Sequence, residues 1–256
     1  MECRNVAVVG AGTMGRGIAH VAALAGYQTW LADVDQSTLQ KSLTEVEHDL
    51  AVAVAREKIS EVQRSAALSR LELVTDLDSI VSTCDLVIEA VPERMALKQE
   101  IFSRISHLVE DHSILATNTS SLSVSEIASS SRLPERVVGM HFFNPPHKVR
   151  LLEIIRADQT SEQVIEAVRQ IGVRMNRELV VVNDSPGFAS SRLGIALGME
   201  AIRMVEQGVA APEDIDAAMV HGYRHPIGPL RLGDLVGLDV RLAVGDYLCR
   251  ELGEEQ

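Results

Sequence analysis

The sequence predicts an α/β protein: a doubly wound, mostly parallel sheet followed by a smaller all-helical C-terminal region. Three observations predict it. Short apolar runs rich in Val, Ile and Leu alternate with helical patterns through the first 184 residues, as in a sheet buried on both faces. The first of these runs passes through a glycine loop directly into a helix of small residues. Beyond the turn-rich segment Asn183-Asp184-Ser185-Pro186-Gly187 no strand pattern recurs.

The elements follow in order. Residues 4–9 form a β-branched strand, 17–25 a helix stopped by Gly26, and 28–32 a second strand, which completes a βαβ unit. Residues 37–69 are polar and helical with no strand signal, and predict a helical hairpin inserted after the second strand. Further strands are expected at 71–74, 86–91, 114–117, 137–142, 151–155 and 179–182. The expected division is a nucleotide-binding domain over 1–184 and a helical domain over 185–256. In the latter, 188–207 reads as one helix ended by Gly208, Pro212 opens a second ended by Gly222, and 235–252 makes a third. Helices this short and rich in Ala and Met need another surface to pack on, either the first domain or a second subunit.

Composition narrows the function. A formal net charge of -12 over 256 residues argues against nucleic acid or an anionic membrane as partner, since both need a basic face, and leaves only local basic patches open. No apolar run approaches the roughly 20 residues that span a bilayer, and MECRNVAVVG has no basic region ahead of an apolar one, so a cytoplasmic protein is expected. Cys3, Cys84 and Cys249 are scattered, with neither disulfide nor metal-ligand spacing, and no metal is expected.

Gly10-Ala11-Gly12-Thr13-Met14-Gly15 matches the G-x-G-x-x-G loop that cradles a pyrophosphate at a helix N-terminus. It follows a strand, opens a helix, and is followed eighteen positions after Gly15 by Asp33, so the fold expected is Rossmann-like. A carboxylate at Asp33 accepts hydrogen bonds from a ribose 2'-hydroxyl and repels a 2'-phosphate, and no Arg or Lys lies between Asp33 and Lys41. NAD is therefore expected rather than NADP. Asp35, beyond the strand end, is the competing acid and is expected to cap the next helix.

His141 ends one strand run, and Glu153, twelve positions on, stands inside the apolar run Leu151-Leu152-Glu153-Ile154-Ile155, where a lone carboxylate is costly. A strand pair bringing the two together would orient the imidazole as a general base. A satisfied core histidine and a strand-edge glutamate near solvent remain equally open readings of the spacing alone.

At these residues the chain resembles the L-3-hydroxyacyl-CoA dehydrogenases, through GAGTMGRGIA, EAVPE, NTSSLS, HFFNPPHKVRLLEII, NDSPGF and HPIGPLRLGDLVGLD. The resemblance implies oxidation of an (S)-3-hydroxyacyl-CoA to the 3-ketoacyl-CoA with NAD as hydride acceptor, a reaction of fatty acid β-oxidation. It implies His141 as base, Glu153 as its orienting partner, and Ser120 and Asn144 holding the substrate oxygen and the nicotinamide end. Glu93 and Lys98 match positions contacting the cofactor ribose. Ser191 stands where the family usually has Asn. A hydroxyl is shorter than a carboxamide, so a water or a looser hold on the substrate is expected there. Relatives also carry a basic, glycine-rich segment after the last helix, which the sequence does not show before Gln256, so a truncated C-terminal domain is expected. Arg56, Lys58 and Arg64 in the helical insertion are candidates for the CoA phosphates, against the alternative of solvated surface charge. A homodimer through the helical region is expected. His20, His48, His107, His112 and His221 receive no role, and His147 and His225 read as turn or surface residues. The same motifs would also serve an NAD-dependent dehydrogenase of a free hydroxy acid of the gulonate type, or a catalytically silent NAD-binding protein.

Overall fold

The computed structural model describes residues 3–253, so the expected end of the helical region at 254–256 lies outside the described residues. The described chain forms two compact units, residues 3–119 with 123–184, and residues 120–122 with 185–253.

The first unit runs β1 (Asn5–Val9), α1 (Thr13–Leu24), β2 (Gln28–Ala32), α2 (Gln36–Ala55), α3 (Glu61–Ser69), β3 (Leu71–Val74), α4 (Asp78–Val81), β4 (Leu86–Glu89), α5 (Met95–Ser106), β5 (Ile114–Thr117), α6 (Val124–Ala128), β6 (Val137–Phe142), β7 (Leu151–Arg156), α7 (Glu162–Arg174) and β8 (Glu178–Asn183). The sheet order is β3-β2-β1-β4-β5-β6-β7-β8. Every neighbouring pair is parallel except β6 and β7. Six residues of β6 and the central four of β7 are buried, as the apolar runs require. The chain reverses its direction of travel across the sheet between β1 and β4, which places a crevice at the carboxyl ends of these strands. The connection from β6 to β7 contains no crossover helix, so β7 returns antiparallel and Glu153 falls opposite His141.

The insertion is the expected helical hairpin. α2 buries Leu39, Ser42, Val46 and Leu50, a stripe at helical spacing, and packs on α1. α3 is started by a reciprocal cap between Ser60 and Gln63. β4 stops at Glu89 and not at 91, because the Glu89 carboxylate takes the Val91 N–H at 2.7 Å and removes it from the ladder.

The second unit contains α8 (Ser190–Glu206), α9 (Pro212–Ala217), α10 (Pro229–Val236) and α11 (Leu238–Leu252). Two details differ from expectation. α8 begins at Ser190 because Gly187 and Phe188 both have positive φ, +71° and +51°, which a helix cannot contain. The helix expected over 235–252 begins at Leu238 as α11, residues 235–236 ending α10, whose start at Pro229 has no counterpart in the sequence reading. α10 is started from outside, by the Asp216 carboxylate accepting the Leu230 and Arg231 N–H groups at 2.8 and 3.0 Å, and ended by Gly237 at φ +101°. No helix among the described residues is long and apolar enough to cross a membrane.

Candidate active site

The glycine loop is shaped by close approach. Gly10 has φ +100°, and a Cβ there would stand 2.7 Å from the Ala90 carbonyl oxygen. A Cβ on Gly15 would overlap the Gly10 carbonyl, so the helix could not pack on the strand. Gly12 differs: it caps α1 without a side chain, and a Cβ there meets nothing of the protein. That open cradle and the uncapped first-turn amides of Thr13, Met14 and Gly15 suit a pyrophosphate.

Asp33 follows β2 and is fastened beside the loop. Its Oδ2 accepts the Ala11 N–H at 2.7 Å, and its Oδ1 accepts the Asp35 N–H at 3.0 Å. Asp35 is the N-cap of α2, accepting from the backbone and hydroxyls of Ser37 and Thr38, as expected. Those hydrogen bonds, led by the Thr38 hydroxyl, hold the Asp35 carboxyl at about 2.

Beyond the ends of β4 and β5 lies a buried ionic network. Glu89 is wholly buried, and its carboxylate accepts from the Lys98 ammonium at 2.7 Å, the Val91 N–H at 2.7 Å and the Thr117 hydroxyl at 2.7 Å. Lys98, only 1% exposed, reaches the outer Glu93 at 3.3 Å. Glu93 also accepts the Thr119 hydroxyl at 2.6 Å. Lys98 thus lies behind Glu93 and does not present its ammonium to solvent. Its expected meeting with a ribose would be indirect.

The histidine and the acid meet. His141 Nδ1 and Glu153 Oε2 are 2.8 Å apart, with side chains 8% and 1% exposed. The register puts the two residues directly opposite, so the contact is a consequence of the β6 and β7 pairing. Asn118 secures the strand end by accepting the Phe142 N–H on its Oδ1 at 2.9 Å, and the Phe143 ring lies 4.4 Å from the imidazole between centroids.

The remaining expected residues are dispersed. In the second unit the Ser191 hydroxyl donates to the Ser120 carbonyl at 3.2 Å. Asn144 is exposed in the connection after β6. Arg56 and Lys58 are exposed between α2 and α3, and Arg64 pairs with Glu61 at 2.5 Å. Sequence reading missed Glu89, Asn118, Thr117 and Thr119. Glu89 had a usable signal: it sits in the apolar run Leu86-Val87-Ile88-Glu89-Ala90-Val91 just as Glu153 sits in its own.

A switch-point crevice, a glycine cradle, a fastened acid after β2 and a buried histidine–acid pair define a dinucleotide-dependent oxidoreductase of the doubly wound class. The family model for the NAD-binding domain of 3-hydroxyacyl-CoA dehydrogenase matches residues 5–185, and the model for that enzyme's C-terminal domain matches residues 187–256. The chain belongs to the 3-hydroxyacyl-CoA dehydrogenase family. It is 40% identical over 256 residues to a probable 3-hydroxybutyryl-CoA dehydrogenase of Bacillus subtilis, covering 100% of this chain and 89% of that one. It is 40% identical to a 3-hydroxybutyryl-CoA dehydrogenase of Clostridioides difficile, covering 98% and 89%. The crystal structure of (S)-3-hydroxybutyryl-CoA dehydrogenase from Ralstonia eutropha superposes with a TM-score of 0.95 at 38% identity, covering 99% of this chain and 89% of that one.

Proposed function

We propose that this chain oxidises an (S)-3-hydroxyacyl-CoA to the 3-ketoacyl-CoA, with NAD as oxidant and His141 as general base. The observation that carries this reading is the buried contact of 2.8 Å between His141 Nδ1 and Glu153. Glu153 accepts from Nδ1–H, which leaves the lone pair of the neutral ring on Nε2. Nε2 takes the proton of the substrate hydroxyl as its C–O bond becomes a carbonyl, and Glu153 stabilises the charged ring that results. Bound NAD supplies the acceptor for the hydride leaving the carbon that bore the hydroxyl.

The chain's own residues do the rest. The open position at Gly12 and the amides of Thr13, Met14 and Gly15 hold the pyrophosphate, and Asp33 accepts from the adenosine ribose. Glu93 contacts a ribose of the cofactor, while Lys98, held by Glu89, positions Glu93 from behind. Ser120, Asn144 and Ser191 hold the substrate oxygen and the nicotinamide end, and Arg56 and Lys58 meet CoA phosphates. Residues 1–184 bind the nucleotide, and 185–256 serve the substrate and dimerisation. Relatives named for 3-hydroxybutyryl-CoA favour a short acyl chain here. The exposed Leu193, Leu197, Ile202, Leu235, Leu238 and Leu242 of the helical unit favour a homodimer. Free Cys3, Cys84 and Cys249 favour a reducing, cytoplasmic compartment, and the reaction suits fatty acid β-oxidation.

The test supplies NAD with (S)-3-hydroxybutyryl-CoA, a longer or dicarboxylic 3-hydroxyacyl-CoA, and a free hydroxy acid, and follows NADH. NADH is expected from a CoA ester. Its appearance only from the free acid, or from no CoA ester, overturns the proposal.

A further inference from the structure

Among the described residues, one group of three metal-ligating side chains comes together outside the catalytic pair. It consists of His20 in α1, Asp49 in α2 and His147 in the connection from β6 to β7, with one ligand atom of each within 4.8 Å of the others. The sequence shows no such site, because 29 and 98 positions separate the three. The fold brings them together because Gly17, one turn before His20, lets α1 run against Pro146: a Cβ there would lie 2.7 Å from the proline ring.

Both histidines carry a ring nitrogen for which packing alone gives no account. His20 Nδ1 and His147 Nε2 are shut off from solvent without a hydrogen-bond partner, and His20 as a whole is 4% exposed. A buried polar atom left without a partner is destabilising, and native folds keep few of them. His147 Nε2 stands 3.7 Å from an Asp49 carboxylate oxygen, and the two imidazole rings lie parallel with centroids 5.3 Å apart. Burial foremost, and His147 next, push His20 down to about 4, and burial also pushes His147 down. Each ring is therefore neutral at neutral pH and offers a lone pair. Of the neighbouring cations, Arg16 pairs with Glu45, Arg177 donates to the Pro146 and Val149 carbonyls at 2.7 and 2.8 Å, and Lys148 is exposed to solvent.

We propose that His20, Asp49 and His147 form a binding site for one divalent transition-metal ion of the zinc class. Two imidazoles and a carboxylate are a donor set of that class, and the side chains of His147 and Asp49, 18% and 28% exposed, leave a fourth position for water. Bonds of roughly 2.0–2.1 Å in a tetrahedron set ligand atoms about 3.3 Å apart, so the three draw together by up to about 1.5 Å on binding. In-plane lone pairs of two parallel rings do not meet at one point, so one ring must turn. His147 lies in a connection and His20 within α1, so the ring that turns is that of His147. The ion would clip α1 and α2 to the segment bearing Asn144, since its ligand His147 lies three positions after Asn144 and six after His141.

The test strips the full chain with a chelator and titrates it with Zn2+ alone, read by calorimetry, native mass spectrometry and thermal melting. One ion per chain is expected, with a rise in Tm. His20→Gln and Asp49→Asn should each weaken binding by roughly tenfold or more. Asp49 lies on the partly exposed side of the cluster, so Asp49→Asn keeps the test valid if His20→Gln fails to fold. Absence of Zn2+ binding overturns the proposal. So does one-ion binding of unchanged affinity in Asp49→Asn, which would place the ion elsewhere, for instance at the exposed Cys249.

Discussion

Glu153 stands directly opposite His141 across the antiparallel pair of β6 and β7, and its Oε2 meets the ring's Nδ1 at 2.8 Å. With His141 as the base, His141→Ala should lower kcat by about 100-fold or more while NAD affinity persists. Glu153→Gln keeps a hydrogen-bonding group of the same shape without the charge, and should lower kcat by less. Steady-state kinetics beside NAD binding by fluorescence separates the outcomes. An equal loss of cofactor affinity in His141→Ala would mark the histidine as structural.

Asp33 holds the Ala11 amide, so Asp33→Ala should loosen the glycine loop and remove the carboxylate proposed to accept from the ribose. KM for NAD is expected to rise and the preference over NADP to shrink. Unchanged discrimination would mean that another residue reads the ribose.

Glu89 and Lys98 are each about fully buried, so Lys98→Met leaves the Glu89 carboxylate without a cation, and Glu89→Gln leaves the Lys98 ammonium only the outer, partly exposed Glu93. Glu89→Gln or Lys98→Met should each destabilise the fold by about 3–5 kcal/mol in urea unfolding. The double variant should lose less than the two losses added, because no lone buried charge remains. Strict additivity would show that the two do not depend on each other.

Asp35 predicts a pH signature. Its carboxyl sits at about 2 when folded, below the ordinary 3.8, so its capping stabilises the fold above about pH 4 and is lost as pH falls towards 2. Asp35→Ala should therefore lower Tm at pH 7, and the gap to the parent protein should close on acidification through that window. A gap independent of pH would assign the effect to something other than the charge.

Leu197 and Leu238 are 43% and 60% exposed on the helical unit. If that apolar surface joins two copies, Leu197→Asp with Leu238→Asp should convert a dimer to a monomer in analytical ultracentrifugation. A sedimentation coefficient that does not change would place the dimer contact elsewhere.

Strands were legible where apolar runs end abruptly. β2, β3, β5 and β6 begin and end at the residues their hydrophobic patterns indicate, because each is a mostly apolar run bounded by polar or turn-forming residues. α10 was not legible, since its cap is Asp216, a side chain on another helix, and a short Pro- and Gly-flanked stretch reads as a loop without it. Glu153 was found and Glu89 missed although both carry the same signal, a carboxylate within an apolar run. The lysine that compensates Glu89 lies on a helix nine positions on, where nothing in the local pattern marks it as buried.

Local chemistry alone settled the glycine cradle, the acid after β2 and the alternation that builds the sheet, since each depends on neighbours in the chain: turn geometry, a helix terminus, a hydrophobic period. The contacts between residues far apart in the chain came from packing. The register that sets Glu153 against His141, the burial of Lys98 behind Glu93 and the meeting of His20 with Asp49 and His147 follow from how strands pair and helices approach. No single stretch of residues encodes that geometry.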